Sequence, residues 1–172
     1  MERFAIKRRI TTAAGVRYEA VDQTNWLAVR MMRIPENGTS DELDVRVYEK
    51  LQPLLPTIRH INIAPVIDLN QDDDGAYAAY AQLEGETLID WLRMHGVMTV
   101  DDAIIVAKSC LAGLSALHDQ KVLHGDVSPA RILITRDATL TIQVTMIEPG
   151  LALLVKSGQG ETPGTPMVGR DV

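Results

Sequence analysis

Val122-Leu123-His124-Gly125-Asp126-Val127-Ser128-Pro129-Ala130-Arg131-Ile132-Leu133-Ile134 is the stretch on which the fold turns. It starts apolar, passes through a loop holding His124, Asp126 and Arg131, and ends in an apolar run that reads as a short strand. The loop therefore combines a carboxylate with a guanidinium. A guanidinium has donors and no lone pair, so Arg131 cannot ligate a metal. It can pair instead with Asp126 or with Glu148.

The surrounding chain is helical before this loop and stranded after it. Thr99 is a cap residue, with Asp102 three positions on, and the helix it opens runs to about Leu117. Ala103, Val106, Ala107, Cys110, Leu114 and Leu117 fall at helical spacing on one side, while Ile104, Ile105 and Leu111 lie off that stripe. A helix apolar on more than one side calls for burial on both. Upstream, Leu88 to Met94 forms a shorter helix that His95-Gly96 stops. Downstream, Thr139 to Ile147 contains two apparent short strands, and Ser157 to Pro166 is a Gly/Pro-rich loop.

The N-terminal part alternates like strands over residues 4–10 and 16–21, joined by Thr11-Thr12-Ala13-Ala14-Gly15 as a hairpin turn. Leu27-Ala28-Val29-Arg30 continues the series. Ser40 is placed to cap a helix over residues 41–51, whose face is Leu43, Val47 and Leu51. Pro53 to Arg59 reads as an insertion, because two prolines stop the helix. Residues 64–69 and 76–81 form a hairpin around Asn70 to Gly75; its three aspartates lack the alternate spacing of a calcium loop and read as a solvated tip. His60 reads as a turn residue. Seventeen basic against 23 acidic residues give a net charge of -6, a poor balance for nucleic-acid binding. One cysteine, Cys110, excludes an internal disulfide. No signal pattern or membrane-length apolar run is visible, so a cytoplasmic setting is expected.

Taken together, these stretches resemble the protein kinase superfamily, in its bacterial serine/threonine branch. His124 and Asp126 match the His and Asp of the His-Arg-Asp catalytic loop, with Gly125 in place of the Arg and Arg131 in place of the Asn. Leu27 to Arg30 resembles Val-Ala-Ile-Lys, His60 to Ile63 resembles His-Pro-Asn-Ile, and Gln82 to Leu88 resembles the interlobe hinge. Glu148-Pro149-Gly150 stands where the family has Asp-Phe-Gly, and Gly164-Thr165-Pro166 resembles the end of an activation segment.

The resemblance implies an α+β fold. Residues 1–81 are an N-terminal antiparallel β-sheet lobe with one helix. Residues 82–172 are a truncated, mainly helical C-terminal lobe ending in the activation segment. It implies nucleotide-binding positions at Gly15, Ala28, Arg30, Asp44, Tyr80, Leu83 and Leu133, and a catalytic base position at Asp126. Arg30 replaces the phosphate-reaching Lys, and Asp44 (or Glu42) stands as its helix partner. Glu148 keeps a metal-side carboxylate, but Arg131 blocks the usual Asn ligand. At about 4 Å and an effective dielectric near 20, each unit charge pair is worth about 4 kcal/mol, and a divalent ion facing Arg131 meets twice that repulsion before carboxylates are counted. Gly125 removes the Arg that receives an activation-loop phosphate, so control by loop phosphorylation is not expected.

The expectation is a pseudokinase: a binding or scaffold module needing no cofactor, with ATP and magnesium relevant only if residual activity survives. The rival is a divergent serine/threonine kinase using Arg30, Asp126 and Glu148. A small-molecule kinase of the aminoglycoside type is disfavoured by Val127-Ser128-Pro129-Ala130. Helices that would cover the second apolar side of residues 100–117 are missing from the sequence. A homodimer or protein partner on this C-lobe surface is therefore expected, with no nucleic acid and no membrane segment.

Overall fold

The structure is a computed structural model describing residues 3–12, 15–34, 42–136 and 141–156. In chain order its first elements are β1 (Phe4–Thr12), β2 (Gly15–Asp22), β3 (Ala28–Ile34), β4 (Glu42–Leu43), α1 (Val45–Leu51), β5 (Val66–Asp72) and β6 (Gly75–Ala81). Five of these strands form an antiparallel sheet in the order β1-β2-β3-β6-β5. β6 is buried from Ala76 to Tyr80, as suits a strand paired on both edges and covered on both faces. The β5–β6 hairpin closes at Asp72 opposite Gly75, tighter than the expected loop over residues 70–75. Gly75 has φ +109°, and Arg33 reaches both Asp72 and Asp74. The acidic tip is thus a cation-paired turn.

α1 begins four residues later than expected. Asp44, not Ser40, is its N-cap: Oδ1 accepts from the backbone N–H of Arg46 at 3.1 Å and of Val47 at 3.3 Å. Residues 42–43 are diverted into β4, which pairs with β10 (Val155–Lys156). Ser40 lies outside the described residues. Tyr48 and Leu51 form the buried face.

The C-terminal part holds β7 (Glu86–Thr87), α2 (Leu88–His95), α3 (Val100–Asp119), β8 (Ile132–Arg136) and β9 (Ile142–Met146), with a β7-β8-β9 sheet. Thr87 and Thr99 cap α2 and α3, accepting from the N–H of Asp90 and Asp102. Of the expected pair of strands over residues 139–147, residues 139–140 lie outside the described residues, and the described part holds one strand, β9, whose partner is β8, from Ile132 opposite Met146 to Arg136 opposite Ile142. α3 buries Val106, Cys110, Gly113 and Leu117, while Ala103 and Ala107 of the expected stripe are exposed. The buried side is set by close backbone approach at Gly113, where an added Cβ would meet Ile63 Cδ1 at 3.0 Å and the Asn62 carbonyl at 3.1 Å.

One apolar cluster joins both halves. It includes Leu51, Leu55, Leu69, Leu117, Met146 and Leu154. Each such fully buried leucine contributes about 1.5–3 kcal/mol. Leu55, supplied by the proline-flanked insertion, is 1% exposed, so the insertion builds core rather than a surface loop. Among the described residues, no helix is long and apolar enough to cross a membrane.

Gly125 shows how the catalytic-type loop is accommodated. It has φ +85°, and an added Cβ would stand 2.8 Å from Leu153 Cγ and 2.9 Å from Leu153 Cδ2. Leu153 belongs to a short 3-10 turn over Leu151–Leu154 that fills the space above the loop. Restoring the family's arginine with Gly125→Arg is expected to cost about 2–4 kcal/mol through backbone strain and overpacking. Urea unfolding of the variant checks this.

Candidate functional site

The site lies where the five-stranded sheet meets the helical half. Two turns build its floor. His124 is fully buried, and its carbonyl accepts from Gly150 N–H at 2.8 Å. Arg131 N–H donates to the Ser128 carbonyl, and Ile147 N–H to the Arg131 carbonyl, both at 2.9 Å. These bonds place the loop after His124 directly beside the turn Glu148-Pro149-Gly150. That turn is sharp: Glu148 has φ +61° and Gly150 φ +75°. Pro149 is fully buried, and Leu55 packs against Gly150.

Glu148 is the hub. Arg17 donates to it in a fork, Nε to Oε1 at 2.9 Å and Nη2 to Oε2 at 3.1 Å. The Tyr80 hydroxyl donates to Oε1 at 2.7 Å. Arg131 Nη1 stands 3.1 Å from Oε2, while its Nε donates to Asp126 Oδ2 at 2.9 Å. Arg131 therefore bridges the two carboxylates. Both Arg17 and Glu148 are under 10% exposed, at 8% and 6% by side chain. A buried fork of this kind is held by charge as well as geometry.

The electrostatics follow from the burial. Desolvation works to raise the Glu148 pKa, but the Arg17 hydrogen bond and charge, then Arg131 and Tyr80, outweigh it and hold the carboxyl below its ordinary 4.5. Burial, reinforced by the Glu148 charge, pushes the Tyr80 phenol far above its ordinary range, so it stays a neutral donor.

The remaining positions divide in two. Arg30 lies opposite Glu19 on β2 and opposite Tyr80 on β6. Its side chain lines an interlobe cleft of about 560 Å³ together with Arg17, Arg93, Arg131, Asp90 and Glu148. Asp44 caps α1, and among the described residues Arg30 Nε is buried with no hydrogen-bond partner, so the expected Arg30–Asp44 pair is not formed through that atom. Gly15 opens β2 opposite Thr12, as a hairpin does. Ala28 is exposed, Leu83 half-buried and Leu133 buried, and none of the three lines the arginine-rich cleft. Arg17 was not singled out from sequence. Strand alternation puts it on the same face as Glu19, but its partner lies 131 residues away.

A family profile described as "Protein kinase domain" matches residues 12–166. The chain belongs to the protein kinase family. Among curated proteins this protein kinase domain is 28% identical over 155 residues to calcium-dependent protein kinase 24 of Arabidopsis thaliana, covering 88% of this chain and 26% of that protein. It is 25% identical over 117 residues to the probable serine/threonine-protein kinase CPE1738 of Clostridium perfringens, covering 68% and 17%. It thus spans about a quarter or less of the length of these relatives. Among solved structures, the Mycobacterium tuberculosis PknI kinase domain superposes with TM-score 0.71 at 17% identity, covering 87% of this chain and 61% of that one. Rad53 residues 1–466 in complex with AMP-PNP gives 0.68 at 20% identity, covering 87% and 38%. These likenesses show the kinase fold, with its antiparallel N-terminal sheet.

The hub makes a stability prediction. Arg17→Gln is expected to cost about 2–4 kcal/mol, below the full penalty of stranding a buried charge because Arg131 and Tyr80 remain. The Arg17→Gln, Glu148→Gln double variant should cost less than the sum of the two single changes. Glu148 binds its proton less tightly when folded, so the stability it contributes is complete above about pH 4.5 and is lost as pH falls through its lower native value. Glu148→Gln should flatten that acid limb. Urea unfolding across the acid range measures both effects.

Proposed function

We propose that this protein kinase domain is a pseudokinase: a protein-binding or scaffold module with little or no phosphotransfer. One observation carries the reading. Arg131 stands in the place of the magnesium-binding Asn and is bonded to both Asp126 and Glu148. Arg17 occupies Glu148 as well. The residues present do not fit a magnesium ion, because the carboxylates that would ligate it already hold guanidinium groups, which repel a cation. Pro149, fully buried in place of a Phe, and Gly125, packed against Leu153, further depart from a catalytic arrangement.

A second reading, residual serine/threonine phosphotransfer, draws on the same geometry. One guanidinium touches both carboxylates, so Asp126 and Glu148 converge on a common space that an ion could enter if Arg131 swung aside.

The proposed working surface is on α2, α3 and the turn between them, where Met94 is 76% exposed, Val97 95%, Val100 76% and Leu111 66%; exposed apolar side chains suit contact with a protein partner or a second copy.

Thermal unfolding with ATP and magnesium tests the assignment, since a ligand bound to the native state raises its melting temperature. The pseudokinase reading expects no magnesium-dependent rise for the natural sequence. The Arg17→Val, Arg131→Asn double variant is expected to acquire one. A magnesium-dependent rise without substitution favours residual activity. Sedimentation at micromolar concentration is expected to show a species larger than the monomer, and Leu111→Glu to dissociate it; a well-behaved monomer would remove the self-association arm.

A further inference from the structure

α3 has two apolar sides, and the fold buries one of them. Val106, Cys110, Gly113 and Leu117 pack inward. On the outward side Val100, Ile104, Ala107 and Leu111 are exposed, Ile104 at 45%. Their steps of four, three and four residues make the narrow seam of one helix packed on one other helix. Val97, exposed just ahead of α3, prolongs that seam at its N-terminal end. Ala107 has the smallest side chain of the four, which lets a second helix axis approach to about 8–10 Å.

The charges beside the seam point to what covers it. Asp101 and Lys108 are both exposed and lie seven residues apart. Neither takes an ion pair among the described residues. Seven residues is close to two helical turns, so both side chains stand on the same edge of the seam. This pattern is complementary to itself under one operation. A two-fold axis perpendicular to α3, passing midway between Asp101 and Lys108, reverses the helix direction and keeps that edge on its own side. Asp101 of each copy then faces Lys108 of the other. A two-fold contact uses the same patch on both copies and therefore requires a self-complementary pattern. Parallel pairing would instead set Asp101 against Asp101 and Lys108 against Lys108, which like charges disfavour.

We propose that α3 pairs with α3 of a second copy of this chain, antiparallel and related by a two-fold axis at Ile104 and Ile105, with an Asp101–Lys108 contact at each end; this rests on the reading of α2 and α3 as a working surface. Ile104 meets Ile104 of the second copy at the axis. Ala107 sits between Val100 and Ile104 of the second copy, and Leu111 reaches toward its Val97 and Val100. Burial of the apolar seam holds the copies together. The exposed ion pairs add little affinity and set direction and register instead.

The test combines sedimentation equilibrium of the 172-residue chain with oxidative cross-linking of single-cysteine substitutions. The natural sequence is expected to sediment as a dimer at micromolar concentration. Lys108→Asp, at an exposed mid-helix position, should raise the dissociation constant about fivefold or more, because two ion pairs become like-charge contacts. The exchange Asp101→Lys, Lys108→Asp should restore it to within about twofold. Ile104→Cys is expected to form a disulfide between copies, and Ser115→Cys is not, since the antiparallel register holds the two Ser115 positions about 30 Å apart. The natural Cys110 is buried, so the unsubstituted chain gives the baseline. Ser115→Cys cross-linking as readily as Ile104→Cys overturns the antiparallel seam. A dimer that Lys108→Asp leaves unchanged and Ile104→Cys does not cross-link also overturns it, and leaves self-association through another face. A monomer at every concentration overturns the pairing outright, while the pseudokinase reading is judged separately by the magnesium-dependent thermal shift.

Discussion

Glu148 accepts hydrogen bonds from two guanidiniums and a phenol while almost entirely buried, and the arrangement of both halves depends on satisfying it. A lone buried carboxylate would be neutralised or expelled. Here three donors from three parts of the chain converge: Arg17 from β2, Tyr80 from β6 and Arg131 from the loop after His124. The sheet and the helical half are thereby tied through one carboxyl group. In a metal-dependent kinase an ion and a nucleotide bring charge to this position. Here Glu148 is met by two guanidiniums and a phenol.

The rest of the molecule is built to hold that tie. The apolar cluster running from Leu51 and Leu55 through Leu117 to Leu154 fixes α1, α3 and the segment after Gly150 against one another. The Asp44 backbone N–H donates to the Leu154 carbonyl at 2.7 Å, and β4 pairs with β10, so the start of α1 is fastened to the segment following Glu148. Gly125, with its positive φ, lets Leu153 pack directly over the loop. Local choices thus agree with the charge network, as a single well-defined packing requires.

Much of this was legible in the sequence because the features involved are local. The threonine cap at Thr99, the glycine stop at Gly96 and the strand over residues 16–21 follow from short-range rules and hold in the structure. The order of motifs around Asp126 located the site, and the chemistry of Arg131 suggested its carboxylate partners. Long-range pairings were not legible. Arg17 meets Glu148 only because two distant strands fold together. The start of α1 was misplaced because Ser40 and Asp44 are both good caps locally, and tertiary pairing of residues 42–43 with 155–156 decides between them. Likewise Gly113, a minor feature of the helical pattern, sets which side of α3 is buried through its closeness to Asn62 and Ile63.

The central claim is that guanidinium groups stand where a divalent ion would otherwise be held. Anomalous scattering from crystals grown with manganese and a non-hydrolysable nucleotide tests it most directly. The account predicts no manganese peak between Asp126 and Glu148, with the Arg131 guanidinium still bonded to both carboxylates. A manganese peak at that position with the Arg131 side chain turned away would contradict it.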